Sequence, residues 1–232
     1  AISPENTMAS MQAALEAGAQ VIEFDVTLSK DRQVIVIHDD KLDRTTNETG
    51  PVHEKTLQEL RQLDAGSWFS EQFSGERLPL LDEVLDNFGQ KAVLNIEIKK
   101  ECFDSIEQPD SIENQVLEKV IQKDLLDSVI ISSFEIRFLE RLFRKDAKPA
   151  LAHISLDETN EELIKKYQDL KLFSWNGWYP IINKEHVRLL HYAGLKVLSF
   201  TVNEQEELER LLDLGVDGIF SDDYKKMNDC IS

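Results

Sequence analysis

At 232 residues, 41% of them hydrophobic, the chain is long enough for one large domain with a sizeable core. Its 44 acidic residues against 26 basic ones give a formal net charge of −18, which argues against nucleic acid and anionic membranes as partners. The two cysteines, Cys102 and Cys230, lie far apart with no CxxC or zinc spacing, and no apolar run long enough to span a membrane occurs.

The opening residues show no basic-then-apolar leader, and with the low cysteine use this leads to the expectation of a cytoplasmic protein. Pro4 to Leu15 reads as a first helix, with Ser3 as its cap, proline at its first position and Gly18 as its stop. Val21 to Val26 is a short apolar strand interrupted by two acids. Val34 to His38 is a second β-branched run, read as an excursion after the Val21 strand. Lys41 to Leu80 breaks the rhythm with Thr-rich turns, Gly50-Pro51 and the aromatic pair Trp68-Phe69, and is predicted to be an insertion packed over one end of the fold.

Regular alternation then resumes. Strands are predicted over Ala92–Ile98, Ser128–Ser133, Pro149–Ile154, Leu172–Trp175, Lys196–Val202 and Val216–Ser221. Amphipathic helices such as Glu113–Gln122, Ile136–Phe143, Glu185–Tyr192 and Glu204–Leu214 separate them. Strands spaced by helices imply parallel pairing through right-handed crossovers. The expected fold is α/β, a TIM-type (β/α)8 barrel forming a single domain over 1–232. Seven barrel strands are counted and the series begins with a helix, so the first strand is expected to be missing from the chain as given. An open doubly wound sheet is the alternative architecture.

Side chains two apart on a strand share a face. Glu23 and Asp25 therefore project to one side of their strand, while Ile22, Phe24 and Val26 face the other. In the run Asn95-Ile96-Glu97-Ile98-Lys99 the same rule sends Asn95, Glu97 and Lys99 inward. Carboxylates gathered inside a barrel repel and are poorly solvated unless a charge neutralises them, and a divalent cation does so directly. An all-oxygen donor set suits Mg²⁺ or Ca²⁺. An internal lysine–carboxylate network without metal is the other reading. His38 ends an apolar strand and precedes Asp39. Its near-neutral intrinsic pKa suits proton transfer, and a structural role weighs equally with a catalytic one.

These motifs resemble the glycerophosphodiester phosphodiesterase family. The match runs through Pro4-Glu5-Asn6-Thr7, Ala17-Gly18-Ala19 and Ile22-Glu23-Phe24-Asp25-Val26. It continues through Val36-Ile37-His38-Asp39, Leu42-Asp43-Arg44-Thr45-Thr46, Leu81 to Leu85 and Asn95-Ile96-Glu97-Ile98-Lys99. Phe200-Thr201-Val202-Asn203 and Val216-Asp217-Gly218-Ile219-Phe220-Ser221-Asp222 complete it. The resemblance covers the whole chain and implies a barrel with a small insertion after its second strand. It further implies Glu23, Asp25 and Glu97 as metal ligands, His38 as one of two acid–base histidines, and Lys99 as a phosphate contact. The implied reaction is metal-dependent hydrolysis of a small-molecule glycerophosphodiester to an alcohol and glycerol 3-phosphate. Two departures stand out. No His-Arg-Gly motif, which carries the family's first histidine, precedes Pro4, so the chain as given is expected to lack half of the proton-transfer pair. Phe200 replaces the family's usual tryptophan, keeping a stacking wall for substrate but losing an indole donor.

Trp175, Asn176, Trp178 and Tyr179 are expected in a βα loop, where surface packing is weighed against holding the alcohol portion of the substrate. Ser132, Thr201, Asn203 and Asp222 lie near strand ends. His53, His153, His186 and His191 are given structural roles. Three other functions stay open: a barrel phosphodiesterase releasing a cyclic phosphate from lysophospholipids or sphingolipids, a non-catalytic metal-binding relative, and a lyase using Mg²⁺ and Lys99 for enolate chemistry.

Overall fold

The computed structural model describes residues 2–231. In chain order the principal elements are α1 (Met8–Glu16), β1 (Val21–Leu28), β2 (Val34–Val36), α2 (Leu57–Leu60), α3 (Leu81–Phe88), β3 (Val93–Ile98), α4 (Ile112–Gln122), β4 (Val129–Ser133) and α5 (Ile136–Phe143). They continue with β5 (Ala150–Ser155), α6 (Glu161–Asp169), β6 (Ser174–Trp178), α7 (Lys184–Tyr192), β7 (Lys196–Phe200), α8 (Gln205–Leu214), β8 (Gly218–Ile219) and α9 (Tyr224–Ile231). The eight strands form one sheet in the order β2-β1-β3-β4-β5-β6-β7-β8. All neighbours pair in parallel except β2, which folds back antiparallel on β1, Val26 opposite Val36. The excursion expected at Val34 is thus a hairpin arm, and the seven parallel strands are those counted in the sequence.

The sheet curls. Phe134, just past β4, and Phe200, at the end of β7, belong to strands separated by two others, yet their ring centroids lie 6.0 Å apart edge to face. Ile22, Phe24 and Val26 of β1, Leu94, Ile96 and Ile98 of β3, and Ile131, Leu151 and Val197 join helix residues such as Val84, Val116, Phe138, Leu190 and Leu211 in one continuous core. The helices therefore pack on a single face of the curl, and the alternate residues line its interior. The segment after β2 builds a small core with β2 itself, from Ile35, Ile37, Leu42, Val52, Leu60, Ala65 and Leu78, which is why it holds a fixed shape outside the barrel rhythm.

Two local expectations are corrected. The first helix begins at Met8, because Asn6 sits at φ 53° and Thr7 takes the cap, its hydroxyl accepting from Ser10 N at 3.2 Å. Asn at a left-handed φ is tolerated where its side chain finds a local or tertiary partner, and Asn6 has one, described below. The aromatic cluster is not a loop: Trp175 and Asn176 lie within β6, and Trp175 is fully buried in the helix-facing core. Gly177 permits this, since a Cβ there would sit 2.2 Å from the Trp175 ring. Only Trp178, at the strand end, and Tyr179 beyond it reach the rim.

Of the histidines given structural roles, His153 packs against Tyr167 of α6. It is half-buried on β5, and its Nδ1 lies 2.9 Å from Tyr167 Oη. Burial pushes its pKa down to about 4, against the opposing pull of the Phe134 backbone. A neutral imidazole in the fold and a normal one in the unfolded chain mean that stability is complete above about pH 6.5 and is lost as pH falls toward about 4. His153→Phe should flatten the decline of Tm across that window, measured by calorimetry on both proteins. Equal slopes would show that His153 does not titrate as its surroundings dictate.

Candidate active site

β1 and β3 are neighbours in register, with Glu23 beside Asn95 and Asp25 beside Glu97. Because register partners in a parallel sheet share a face, the alternation noted in the sequence converges in space. Single carboxylate oxygens of Glu23, Asp25 and Glu97 all lie within 4.8 Å of one another. Asp25 and Glu97 are buried and Glu23 reaches solvent. Lys99 closes the cluster, its Nζ donating to Glu97 Oε1 at 2.9 Å and to Asp25 Oδ1 at 3.1 Å.

Three carboxylates thus gather around one ammonium. Burial first, then the Asp25 charge, pushes the Glu97 carboxyl up to about 7, with Lys99 pulling the other way. Glu23 is raised well above its ordinary value by the protein packed around it, then by Asp25 and Glu97. Its side chain still touches solvent, so the repulsion between the carboxylates is the firmer of those causes. Burial disfavours the Lys99 ammonium, but Asp25 and Glu97 outweigh it and raise its pKa. Burial and mutual repulsion thus both disfavour the ionised carboxylates, and a bound cation would oppose both. The site's donors are all hard oxygens, and together they can hold a divalent metal ion.

Asn6 explains the precision of Asp25. Its Nδ2 donates to Asp25 Oδ2 at 2.9 Å, and its Oδ1 accepts from the Asp25 backbone N at 3.0 Å. Lys99 takes the other oxygen, so the carboxylate is fixed at both ends. Ile37 N donates to Asp25 O at 3.1 Å, which brings the residue after it, His38, to the border of the cluster. There it is close enough to pull the Glu97 carboxyl down. His38 is exposed, and its Nδ1 lies 2.6 Å from Asp39 Oδ1. Arg44 grips Asp39 through Nε at 2.8 Å and reaches Glu5 through Nη1 at 2.7 Å. The Arg44 guanidinium holds the Asp39 carboxyl down to about 2, so Asp39 is an anion that orients the imidazole.

Phe200 stands at the mouth in register with Trp178, its ring against Phe134. Asp222 follows β8, acts on Glu23 across the interior, and accepts from Asn203 Nδ2 at 2.6 Å. Thr201 is exposed and Ser132 is fully buried in the interior. The structure therefore gathers Glu23, Asp25, Glu97 and Lys99, places His38 beside them and Phe200 at the rim. The sequence reading gave no role to Asn6 or to the Glu5–Arg44–Asp39 chain. All four residues lie inside the motifs that carried the resemblance, and that was their only signal.

Comparison with known proteins agrees with this geometry. A model of the "Glycerophosphoryl diester phosphodiesterase family" matches residues 2–226. The chain is 38% identical over 225 residues to a glycerophosphodiester phosphodiesterase of Caldanaerobacter subterraneus subsp. tengcongensis, covering 95% of this chain and 89% of that one. It is 39% identical over 227 residues to a glycerophosphodiester phosphodiesterase of Bacillus altitudinis, covering 94% and 89%. Among solved structures, an Oleispira antarctica phosphodiesterase in complex with the product sn-glycerol-3-phosphate superposes with a TM-score of 0.88 at 30% identity, covering 99% of this chain and 92% of that one. That likeness identifies the curled sheet as a TIM-barrel sheet and sets aside the open doubly wound alternative. The chain belongs to the glycerophosphoryl diester phosphodiesterase family.

Proposed function

We propose that this chain, as a single barrel domain over 1–232, hydrolyses glycerophosphodiesters to an alcohol and sn-glycerol 3-phosphate at the mouth lined by Glu23, Asp25 and Glu97. The observation that carries the reading is the convergence of these three carboxylates within 4.8 Å, with Lys99 paired to Asp25 and Glu97. They would hold Mg²⁺ or Ca²⁺, which supplies the positive charge that polarises the phosphoryl group. Lys99 contacts the phosphate, its Nζ donating to a phosphoryl oxygen as negative charge builds there. Asn6 keeps Asp25 from turning away. His38, its Nδ1 committed to Asp39, exchanges a proton at Nε2 with the reacting oxygens. Phe200 and Trp178 offer apolar walls to the substrate at the rim. No helix among the described residues is long and apolar enough to cross a membrane.

The test is turnover of glycerophosphocholine and glycerophosphoethanolamine by the full-length protein, with and without chelator, followed by phosphorus NMR. The expected result is release of glycerol 3-phosphate that stops on chelation and returns when Mg²⁺ or Ca²⁺ is added back. Hydrolysis indifferent to chelator, or a cyclic phosphate as the product, would overturn the reading.

A further inference from the structure

The interior beneath the carboxylates is polar where a barrel of this type is ordinarily filled by bulky branched side chains. Glu97 has two register partners, Asp25 on one side and Ser132 on the other, so Ser132 projects to the same interior. Asn95 lies two residues before Glu97 on the same strand face and beside Glu23. Ser132 is 0% and Asn95 2% exposed. Ser132 Oγ and Asn95 Oδ1 are both buried with no hydrogen-bond partner among the described residues. Ala152, in register with Ser132, brings only a methyl group and offers the hydroxyl no polar side-chain partner.

An unpaired buried oxygen lowers stability, and two of them beneath one acidic cluster need a common explanation. Asn95 Oδ1 can only accept, and once a bound cation ionises the carboxylates around it they have no proton to give. The O–H groups of water bound to a cation are the donors that fit. We propose that Asn95 and Ser132 form the floor of the cation site, their oxygens holding the water ligands of a divalent ion whose other ligands are Glu23, Asp25 and Glu97. The inference rests on the cation-dependent reading above. Asn95 and Ser132 are positioning residues in this scheme, since they act on the cation through its water.

Ser199 supplies an internal control. It too is fully buried, its hydroxyl without a hydrogen-bond partner among the described residues, but it pairs with Gly177 and Ile219 on the opposite face of the sheet from Asp25 and Ser132. Calorimetric titration of the cation-free full-length protein with Mg²⁺, and separately with Ca²⁺, distinguishes the cases, with cation-free Tm recorded for each variant. Ser132→Ala and Asn95→Leu are expected to weaken cation binding about 10–100-fold, the usual cost of losing an outer-shell partner, without lowering cation-free Tm. Ser199→Ala should leave cation affinity unchanged. If Asn95→Leu lowers the cation-free Tm, its effect is repacking, and Ser132→Ala alone decides. If the wild type binds neither ion, or Glu97→Gln binds as well as wild type, the cation reading itself fails. If wild type binds, Glu97→Gln does not, and Ser132→Ala binds within about twofold of wild type, the floor assignment is overturned and the carboxylate site stands.

Discussion

His38→Ala should lower kcat/KM for glycerophosphocholine by about 10²–10⁴-fold, the range a positioned acid–base group contributes, while cation affinity stays at the wild-type level. The two readouts separate because His38 lies outside the carboxylate cluster. Its Nδ1 is tied to Asp39, and no hydrogen bond among the described residues joins its ring to the three carboxylates. An anionic partner on Nδ1 fixes the tautomer, which leaves Nε2 as the atom that takes or gives the proton. Arg44 keeps Asp39 anionic down to about pH 2, so the orientation persists across the range where imidazole titrates. Asp39→Asn should therefore lower kcat as well, but by less than His38→Ala, because an amide still accepts from Nδ1–H without stabilising the imidazolium. Full activity in His38→Ala, measured on the full-length protein, would remove His38 from the mechanism. A parallel loss of cation affinity would instead make it part of the metal site.

The contrast between Asp25 and its supports shows what a sequence can carry here. Period two on a strand is a local rule, so Glu23, Asp25, Asn95, Glu97 and Lys99 could be assigned to one face before any pairing was known. That β1 and β3 are parallel neighbours is what the βαβ pattern predicts, whereas the register that sets Asp25 beside Glu97 is seen only in the pairing itself. Asn6 is different. Its two bonds to Asp25 span 19 residues and depend on a left-handed turn that reads equally well as a helix start. The Arg44–Glu5 pair spans 39 residues and joins the insertion to the turn before α1, so no local periodicity announces it. The failure at β6 has another cause. Ser-Trp-Asn-Gly-Trp contains Asn-Gly, a strong turn signal, yet parallel pairing to β5 and β7 and the packing of Trp175 over Gly177 overrode it. Ser132 was visible at a strand end, but only the hydrogen-bond census distinguishes it from an ordinary core serine.

The largest stability effect should come from a pair remote from chemistry. Glu113 on α4 is 0% exposed, and its Oε1 accepts from Arg141 Nη1 of α5 at 2.8 Å. Its Oε2 has no partner among the described residues, so Arg141 alone compensates the buried charge. Arg141 is itself held by Asp104 O at 2.7 Å and lies 4.3 Å from the centroid of the Phe103 ring. Methionine in its place can keep much of the stem's packing but strands the Glu113 carboxylate in the core. Breaking one side of a buried pair costs about 3–5 kcal/mol, whereas replacing both sides by apolar groups of similar volume is often neutral or stabilising. Arg141→Met should therefore destabilise the protein by about that amount in urea titrations, and adding Glu113→Leu should restore most of the loss. The two effects are expected to be strongly non-additive, because the second substitution removes the cost that the first created. Should the double variant prove less stable than Arg141→Met, the pair would be contributing attraction well beyond mutual neutralisation. The α4–α5 contact would then owe its stability to the ion pair rather than to the apolar packing of Val116, Phe138 and Leu142 around it.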